Sequence, residues 1–471
     1  MMLRFIQLTI ILTFVVLITF LPALDFMPMS ISYHDGQRLI EVGLLGLVLL
    51  YNAFGRFNNA HALQVEYKMR VGLLLLFALA IISALLALSP RHAIIEVNSF
   101  VGLAFLALFV AGLYHQHKSI FIKWLSTALL ASAVLYMVAF FSGYISSYFF
   151  PDPLFWPFPL YNFDNVRSFN QYQLWIIAIV GLPLLTVEFK KSSTRYWLYV
   201  ALACWWVLLF YSASRGVLVA WVVGLLVTAI AYRQLAWPLL RLQMISATTG
   251  LISYGVLFKV LPTLLKESFF LRTALRSSTD DRIALWSQAI MLIKKFPYFG
   301  TGPMHFPWYN RTLAHPHNSV LQIAAEWGLI ATFIILAMVA YATFCWLNKI
   351  NTQTLKTASS LDKQLAIIIF FTLVTNAAYS MVDGVIVMPI SQVLMFTMIG
   401  LAIGYYVDFN TLNANAKRIL TLRPLLATVV LILFAWSIFP EISANYSGSK
   451  YHFSMGYMAG GPRFWVEYKD N

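Results

Sequence analysis

His315-Pro-His-Asn-Ser-Val-Leu-Gln-Ile-Ala-Ala-Glu-Trp-Gly328 continues without interruption into an apolar run that reaches Leu347. An apolar run of about 20 residues can cross a bilayer as a helix. Similar runs recur throughout the 471 residues, of which 60% are hydrophobic and only 11% are charged. The composition therefore predicts an all-α polytopic membrane protein.

Windows of spanning length predict about 12–13 transmembrane helices, near 5–24, 38–53, 71–89, 94–114, 125–147, 172–187, 197–212, 216–232, 242–262, 318–347, 364–382, 385–406 and 424–440. The first is interpreted as a retained span, not a cleaved signal peptide. Lys and Arg concentrate in alternate short loops, which are therefore predicted to be cytoplasmic. The opposite face would be the periplasmic side of a bacterial inner membrane.

We expect one membrane-embedded domain, 1–471, with its active site facing the periplasm. Two longer periplasmic segments, 148–171 and 263–317, and a short periplasmic tail, 441–471, interrupt the pattern of short connections. Because long loops are exempt from the charge rule, the cations of 263–317 require another explanation.

The composition also argues against several kinds of partner and cofactor. Cys204 and Cys345 lie inside apolar runs, so neither a disulfide framework nor a thiolate metal site is expected. The net charge of +14 fits cytoplasmic loops that face anionic membrane lipids. No nucleic-acid partner is expected, because the sequence has no soluble basic domain or base-stacking module. Neither a cofactor nor a metal is predicted.

Arginines on the predicted external face are candidate ligands for an anion. Arg215 follows Tyr211-Ser-Ala-Ser in a tight turn whose small residues leave room for a ligand; the alternative is an arginine that snorkels at a helix end. Arg276 and Arg282 flank two aspartates, and Arg282 lies one helical turn before Trp286. The alternative there is a surface helix with local ion pairs.

The histidine segment before the apolar run is a candidate catalytic element. Asn318 is a good N-cap, which places His317 at the positive end of the following helix, where a neutral imidazole that can accept a proton is favoured. Free N–H groups at that helix start could bind phosphate. The alternative gives both histidines only packing or capping roles. Metal binding by His315 and His317 is disfavoured, since no third ligand lies at ordinary spacing.

Further polar residues lie at predicted helix ends. Glu326 and Asp383 are carboxylates at membrane depth, which are functional candidates by default; Glu326 is expected to have mainly a structural role. The segment that contains Arg167 and Gln171 supplies an arginine and amides suited to sugar hydroxyls and phosphates. A polar helix entrance explains this segment equally well.

Arginines, a neutral histidine and aromatic residues at a lipid boundary suit a polyprenyl diphosphate. Its tail stays in the bilayer, its phosphates need fixed cations, and an acceptor hydroxyl needs a base. The sequence has no Asp-x-Asp or similar carboxylate cluster, so arginine would stabilise the leaving group. Metal-independent glycosyl transfer is the reaction that this set implies.

The order of these motifs resembles the signature of the O-antigen ligase superfamily, which includes O-antigen ligases, O-antigen polymerases and bacterial protein O-oligosaccharyltransferases. The resemblance is carried by Arg282…Trp286…Pro297-Tyr-Phe-Gly300-Thr-Gly302…His315-Pro-His317-Asn318…Leu321-Gln322…Glu326-Trp-Gly328. It implies a GT-C-like inverting enzyme that uses undecaprenyl-diphosphate-linked glycans. Arg215 and Arg282 would bind the diphosphate, with Arg276 or Arg167 assisting, and His317 would be the catalytic base.

The doubled His-Pro-His-Asn form, the segment 165–173 and the early segment Tyr33-His-Asp-Gly-Gln-Arg38 look most like pilin-type O-oligosaccharyltransferases. That branch implies transfer to Ser or Thr of a pilin-like protein, with His315, Asn318, Glu326, Arg167, Gln171 and Trp286 in supporting or acceptor- and glycan-binding roles. The short tail, where longer relatives carry an extension, puts the acceptor in question. The alternatives are a ligase acting on lipid A–core, a polymerase and, from a different class, a lipid-linked glycan transporter.

Overall fold

The computed structural model describes residues 33–54, 67–149, 156–160, 163, 166–186, 192–265, 280–309, 314–408 and 422–446. These residues form helices joined by turns, and no strand occurs among them. Seventeen α-helices are present in this part of the chain: α1 Tyr33–Phe54, α2 Tyr67–Leu85, α3 Pro90–Ser146, α4 Val166–Ile176, α5 Leu182–Leu185, α6 Ser192–Tyr211, α7 Arg215–Tyr232, α8 Trp237–Gly255, α9 Leu261–Leu265, α10 Asp280–Lys295, α11 Phe306–Tyr309, α12 Ser319–Glu326, α13 Gly328–Lys349, α14 Thr352–Lys356, α15 Ser360–Tyr379, α16 Pro389–Asp408 and α17 Leu422–Tyr446.

The chain divides into two compact units. The first comprises Met1–Phe26, Gln116–Ser277 and Ile350–Tyr379, and the second comprises Met27–His115, Ser278–Lys349 and Ser380–Asn471. Helix α3 passes from one unit to the other and departs from helical geometry at Lys118, where φ is 37°.

Close helix packing characterises the first unit, in which α15 packs along α7 and α6 packs along α8. Gly224 of α7 permits the first contact, because a Cβ there would lie 1.9 Å from Oγ1 of Thr375. Gly250 of α8 permits the second, since its Cβ position lies 2.4 Å from Cβ of Trp206. Small residues at helix crossings let backbones approach, as is common between membrane helices.

Helices of the second unit differ in how much of their surface other helices cover. Helix α1 packs against α16 and α17, and α2 packs against α13. The most apolar window of α16 is 67% buried, whereas that of α13 is only 17% buried. Large apolar side chains such as Phe333 on α13 are exposed, as expected of a helix that faces lipid.

The predicted all-α polytopic membrane fold is confirmed. Seven helices or continuous helical runs among the described residues are long and apolar enough to cross a membrane, or eight if the bent pair Val166–Ile176 and Ile179–Leu185 is one span. The total of 12–13 spans stays a prediction, because the first predicted span, 5–24, lies outside the described residues. Most of the predicted tail, 441–471, also lies outside them.

Two predicted boundaries are wrong. The single helix expected over 318–347 is two helices, α12 and α13, because Gly328 adopts a φ of +85° and breaks the helical path. The external segment expected over 148–171 already becomes helical at Val166, so Arg167 and Gln171 belong to α4. The segment 263–317 contains α10 and α11.

Candidate functional site

Asn318 caps α12 and fixes the segment that carries the histidines. Its Oδ1 accepts a hydrogen bond from the backbone N–H of Leu321 at 3.0 Å, and its Nδ2 donates to the carbonyl of Met381 at 3.0 Å. The predicted N-cap is therefore confirmed. Asn318 also ties the helix start to the connection before α16.

Two of the backbone N–H groups at the start of α12 are paired within the protein, which leaves fewer of them for the predicted phosphate. The N–H of Ser319 donates to the carbonyl of Ser380 at 2.8 Å, and the N–H of Leu321 is taken by Asn318. Because these two first-turn donors are already paired, the cap serves to hold the preceding histidine segment.

His317 faces a carboxylate from the segment before α16. Its Nδ1 lies 3.4 Å from Oδ1 of Asp383, and both side chains are almost completely buried. The backbone of His317 has a φ of +51°, a conformation that costs a non-glycine residue about 1–3 kcal/mol. Strain of this kind is found where the surrounding structure holds a functional side chain in a fixed direction.

His315 packs directly against His317 and supports it. The N–H of His317 donates to Nδ1 of His315 at 3.2 Å, and the two rings meet edge to face with centroids 4.2 Å apart. Gly384 makes room for this arrangement, because a Cβ at that position would lie 2.3 Å from Cε1 of His315. The predicted supporting role of His315 thus has a direct structural basis in packing.

A turn that precedes the histidines in the chain binds the junction between α12 and α13 through hydrogen bonds. The N–H groups of Thr301 and Gly302 donate to the carbonyls of Ala325 and Glu326, each at 2.9 Å. Gly300, with a φ of +71°, lies so close to Glu326 that a Cβ would be 2.3 Å from its carbonyl group. This Gly-Thr-Gly turn therefore holds the C-terminal end of α12 in place.

Glu326 is buried and hydrogen-bonded where α11 meets α12. It is fully buried, and its Oε1 accepts the backbone N–H of Phe306 at 2.9 Å, while Oε2 lies 3.5 Å from Nε2 of Gln322. A buried carboxylate needs such donors to offset its desolvation. Glu326 therefore holds α11 against α12.

Helix α10 brings Trp286 to the histidine segment. The indole N–H of Trp286 donates to the carbonyl of Pro316 at 3.0 Å. Arg282 is half-buried one turn earlier on the same helix, so a cation and an aromatic ring share a face, as predicted. Arg276, the third predicted diphosphate ligand, lies outside the described residues.

Arg215 lies in the first unit, at the first position of α7, and its side chain is exposed. The turn before it contains Ala213 with a φ of +55°. Asn170 donates to Oγ of Ser212 at 2.8 Å, and the indole N–H of Trp156 donates to the carbonyl of Tyr211 at 2.9 Å. Trp156, together with Asn170 of α4, therefore fixes the turn that presents Arg215.

Arg167 and Gln171, both on α4, differ in exposure. Arg167 is half-buried in the first turn. Gln171 is fully buried, and neither its Nε2 nor its Oε1 has a hydrogen-bond partner among the described residues. An unsatisfied buried amide costs roughly 1–3 kcal/mol. Direct contact between Gln171 and a glycan would require α4 to open.

None of the ion pairs between described side chains involves Arg215 or Arg282. No cluster of three or more potential metal-ligating side chains occurs in this part of the chain. The sequence indicates that Asp383 is an acid at membrane depth but does not assign it to the site. An Asp-Gly pair in a short turn between two spans is the signal that could have identified it.

The apolar helices and the buried His–Asp pair define the class, a multi-pass membrane protein with a polar site at helix ends. Residues 199–336 match the family described as O-Antigen ligase. A protein of Rickettsia typhi named "Putative polysaccharide ligase RT0347" is 23% identical over 329 residues, which cover 66% of this chain and 76% of that protein.

The predicted resemblance to the O-antigen ligase superfamily is confirmed by these two similarities. The matched region runs from α6 into α13 and includes Arg215, Arg282 and His317. Asp383, by contrast, lies beyond the matched residues. These similarities support an O-antigen ligase-type glycan transferase, a class that uses a lipid-linked glycan donor and an acceptor.

Proposed function

We propose that this protein is a metal-independent, inverting O-oligosaccharyltransferase of a bacterial inner membrane. It would transfer a preassembled glycan from undecaprenyl diphosphate to Ser or Thr of a pilin-like periplasmic protein. The observation that supports catalysis by His317 is its pairing with Asp383 at 3.4 Å in a strained backbone conformation.

The carboxylate of Asp383 faces Nδ1 of His317, an arrangement that favours the tautomer with its proton on Nδ1. Nε2 then carries the lone pair that can accept a proton, as in other His–Asp pairs. The separation of 3.4 Å is longer than a hydrogen bond, and contacts of this kind often tighten only when substrate binds.

In the proposed reaction, Nε2 of His317 takes the proton from the acceptor hydroxyl as its oxygen attacks the anomeric carbon. The bond between that carbon and the phosphate oxygen breaks on the opposite face, which inverts the anomeric configuration. Undecaprenyl diphosphate leaves with the bonding electron pair. Arg215 and Arg282 would neutralise the charge that develops on it, with Arg276 or Arg167 assisting.

Two features support arginine in this role. Guanidinium groups bind phosphate through paired hydrogen bonds and stay charged at any physiological pH. Arg282 lies one turn before Trp286, which contacts the histidine segment, and Arg215 is exposed at the start of a helix. Among the described side chains, neither arginine forms an ion pair with a carboxylate.

A second candidate acceptor is lipid A–core, which would make the protein an O-antigen ligase. The family description and the printed name of the Rickettsia typhi relative favour this candidate. The pilin-like acceptor is favoured instead by the His-Pro-His-Asn form and the segment 165–173. A third candidate acceptor is the end of another glycan repeat, which would make the protein a polymerase.

The test is reconstitution of wild-type protein and His317→Ala in liposomes with an undecaprenyl-diphosphate glycan in EDTA. A pilin-like protein and lipid A–core are offered in parallel, and donor binding is measured separately. We expect glycan on the pilin-like protein, at least about 10²-fold less product with His317→Ala, and unchanged donor binding.

Each other result has a definite meaning. Glycan on lipid A–core identifies a ligase, and elongated glycan alone identifies a polymerase. Full activity of His317→Ala removes this histidine from the mechanism, and loss of transfer in EDTA refutes metal independence. Donor movement across the bilayer without transfer supports a transporter.

A further inference from the structure

A buried ion pair on α1 has no role in the reaction as proposed so far. Arg38 and Glu41 are only 3% and 1% exposed, and Nη1 of Arg38 lies 2.5 Å from Oε2 of Glu41. Charged side chains within a membrane-spanning helix are costly to bury and are retained where they serve a function. A buried pair by itself is weak evidence for a contribution to stability.

Arg38 also binds the segment before α16. Its Nη1 donates to Oε1 of Gln392 at 2.6 Å, and its Nη2 donates to the carbonyl of Val387 at 2.6 Å. Nε2 of Gln392 in turn donates to the carbonyl of Ile386 at 2.8 Å. One guanidinium therefore fixes both the backbone of this segment and the first turn of α16.

The segment held by Arg38 is also the one that supports the histidines. Asp383 faces His317, and Gly384 leaves space for the ring of His315. The N–H of Val387 donates to the carbonyl of Gly384 at 3.0 Å. Val387, whose carbonyl Arg38 binds, is therefore linked directly to Gly384, the residue that lies against His315. All of these residues belong to the second unit.

We infer that Arg38 is a positioning residue, which aligns His317 for proton transfer by fixing residues 383–392. This inference rests on the proposed role of His317. Arg38 acts through Val387 and Gln392, which set the position of Asp383. A displacement of about 1 Å in catalytic geometry can cost roughly 10²-fold in rate.

Arginine is required at this position because three acceptors lie around one planar group. The carboxylate of Glu41, the amide oxygen of Gln392 and the carbonyl of Val387 all receive donors from its two terminal nitrogens. A lysine carries a single ammonium on a flexible stem and cannot reproduce this fork. Arg38→Lys is therefore expected to keep the ion pair but to lose alignment.

The test is a double-mutant cycle on full-length protein in liposomes, with the undecaprenyl-diphosphate glycan and the acceptor that the wild type uses. Arg38→Gln combined with Glu41→Gln removes both charges together, so that neither is left buried alone. This neutral pair is compared with Asp383→Asn and with the triple substitution. Arg241→Gln, at an exposed arginine of α8, is the matched control.

We expect the neutral pair to lower kcat by roughly 10²-fold with donor KM unchanged, because the inferred role of Arg38 is to align His317 and not to bind the donor. In the triple substitution the losses should not multiply, since both changes act on His317. Arg38→Lys should lose nearly as much activity as the neutral pair. Arg241→Gln should retain wild-type kinetics.

Wild-type kcat in the neutral pair, or losses that multiply with Asp383→Asn, would overturn the inference. If the neutral pair does not fold, Gln392→Met tests the same link with the ion pair intact, and unchanged kcat in that variant would equally overturn it. His317→Ala is run in the same assay. Full activity of His317→Ala indicates that the proposed function fails; its inactivity beside fully active Arg38 variants indicates that only this inference fails.

Discussion

The role of Asp383 depends on its contact with His317, a residue that is distant in the sequence. In the sequence it is an acid in a short turn between two apolar runs, a position that suggests a functional group but not a role. The structure places its carboxylate 3.4 Å from Nδ1 of His317. A carboxylate in that position can fix the tautomer and orientation of the imidazole.

Asp383→Asn tests that relationship. The amide is nearly isosteric but carries no charge and can stabilise the wrong tautomer, so we expect transfer to fall by roughly 10²–10⁴-fold. Donor binding should not change. Asp362→Asn, at the start of α15, is the control and should keep full activity. Wild-type turnover by Asp383→Asn would show that the 3.4 Å contact has no part in catalysis.

Gly384→Ala tests whether stability and transfer require the space that this glycine leaves for the ring of His315. The new methyl group would lie 2.3 Å from Cε1 of the ring, so the imidazole must move, and His317 with it. We expect a lower melting temperature in detergent and a loss of transfer of roughly 10²-fold.

The control for this substitution is the same change in a His315→Ala background, where the ring is gone and the melting temperature should no longer fall. Gly43→Ala, in open space on α1, should leave both quantities unchanged. An equal effect of Gly384→Ala in both backgrounds would argue against a steric origin.

At the scale of elements, the break between α12 and α13 shows that a glycine can end a helix where the apolar pattern predicts that the helix continues. Hydropathy alone predicts one continuous helix over 318–347, since Glu326 is the only charge in it. Gly328 adopts a φ of +85°, and the N–H of Leu329 donates to the carbonyl of Pro297 at 2.8 Å. The chain therefore changes direction between the eight-residue α12, which follows the histidine segment, and the long apolar α13.

Gly328→Ala should lower the free energy of unfolding by at least about 1–3 kcal/mol, because the residue would be held at an unfavourable φ. A Cβ there would also lie 2.1 Å from the carbonyl oxygen of Tyr298. Thermal unfolding in detergent measures the effect. Gly46→Ala, with no atom near its Cβ position, should be neutral or slightly stabilising. Equal melting temperatures for the two variants would refute the requirement for glycine at position 328.

At the scale of the whole molecule, the distribution of Lys and Arg predicts which helix ends face the periplasm. Single cysteines are introduced at Ser287 on α10 and at Lys356 on α14, in protein whose Cys204 and Cys345 have been replaced. We expect a membrane-impermeant maleimide to label Ser287→Cys in intact spheroplasts, and Lys356→Cys only after permeabilisation. The reverse labelling pattern would invert the orientation and place the histidines on the cytoplasmic side.

The sequence by itself determined the membrane class, the helical fold, the resemblance to the O-antigen ligase superfamily and the Asn318 cap. Each depends on local information: runs of apolar residues, the spacing of motifs and the chemistry of one side chain at a helix start. Only the tertiary structure decided that Asp383 faces His317, that Gly384 accommodates His315 and that Arg38 binds Val387 and Gln392. These contacts join residues far apart in the chain, and periodicity and composition carry no information about which distant helix ends meet.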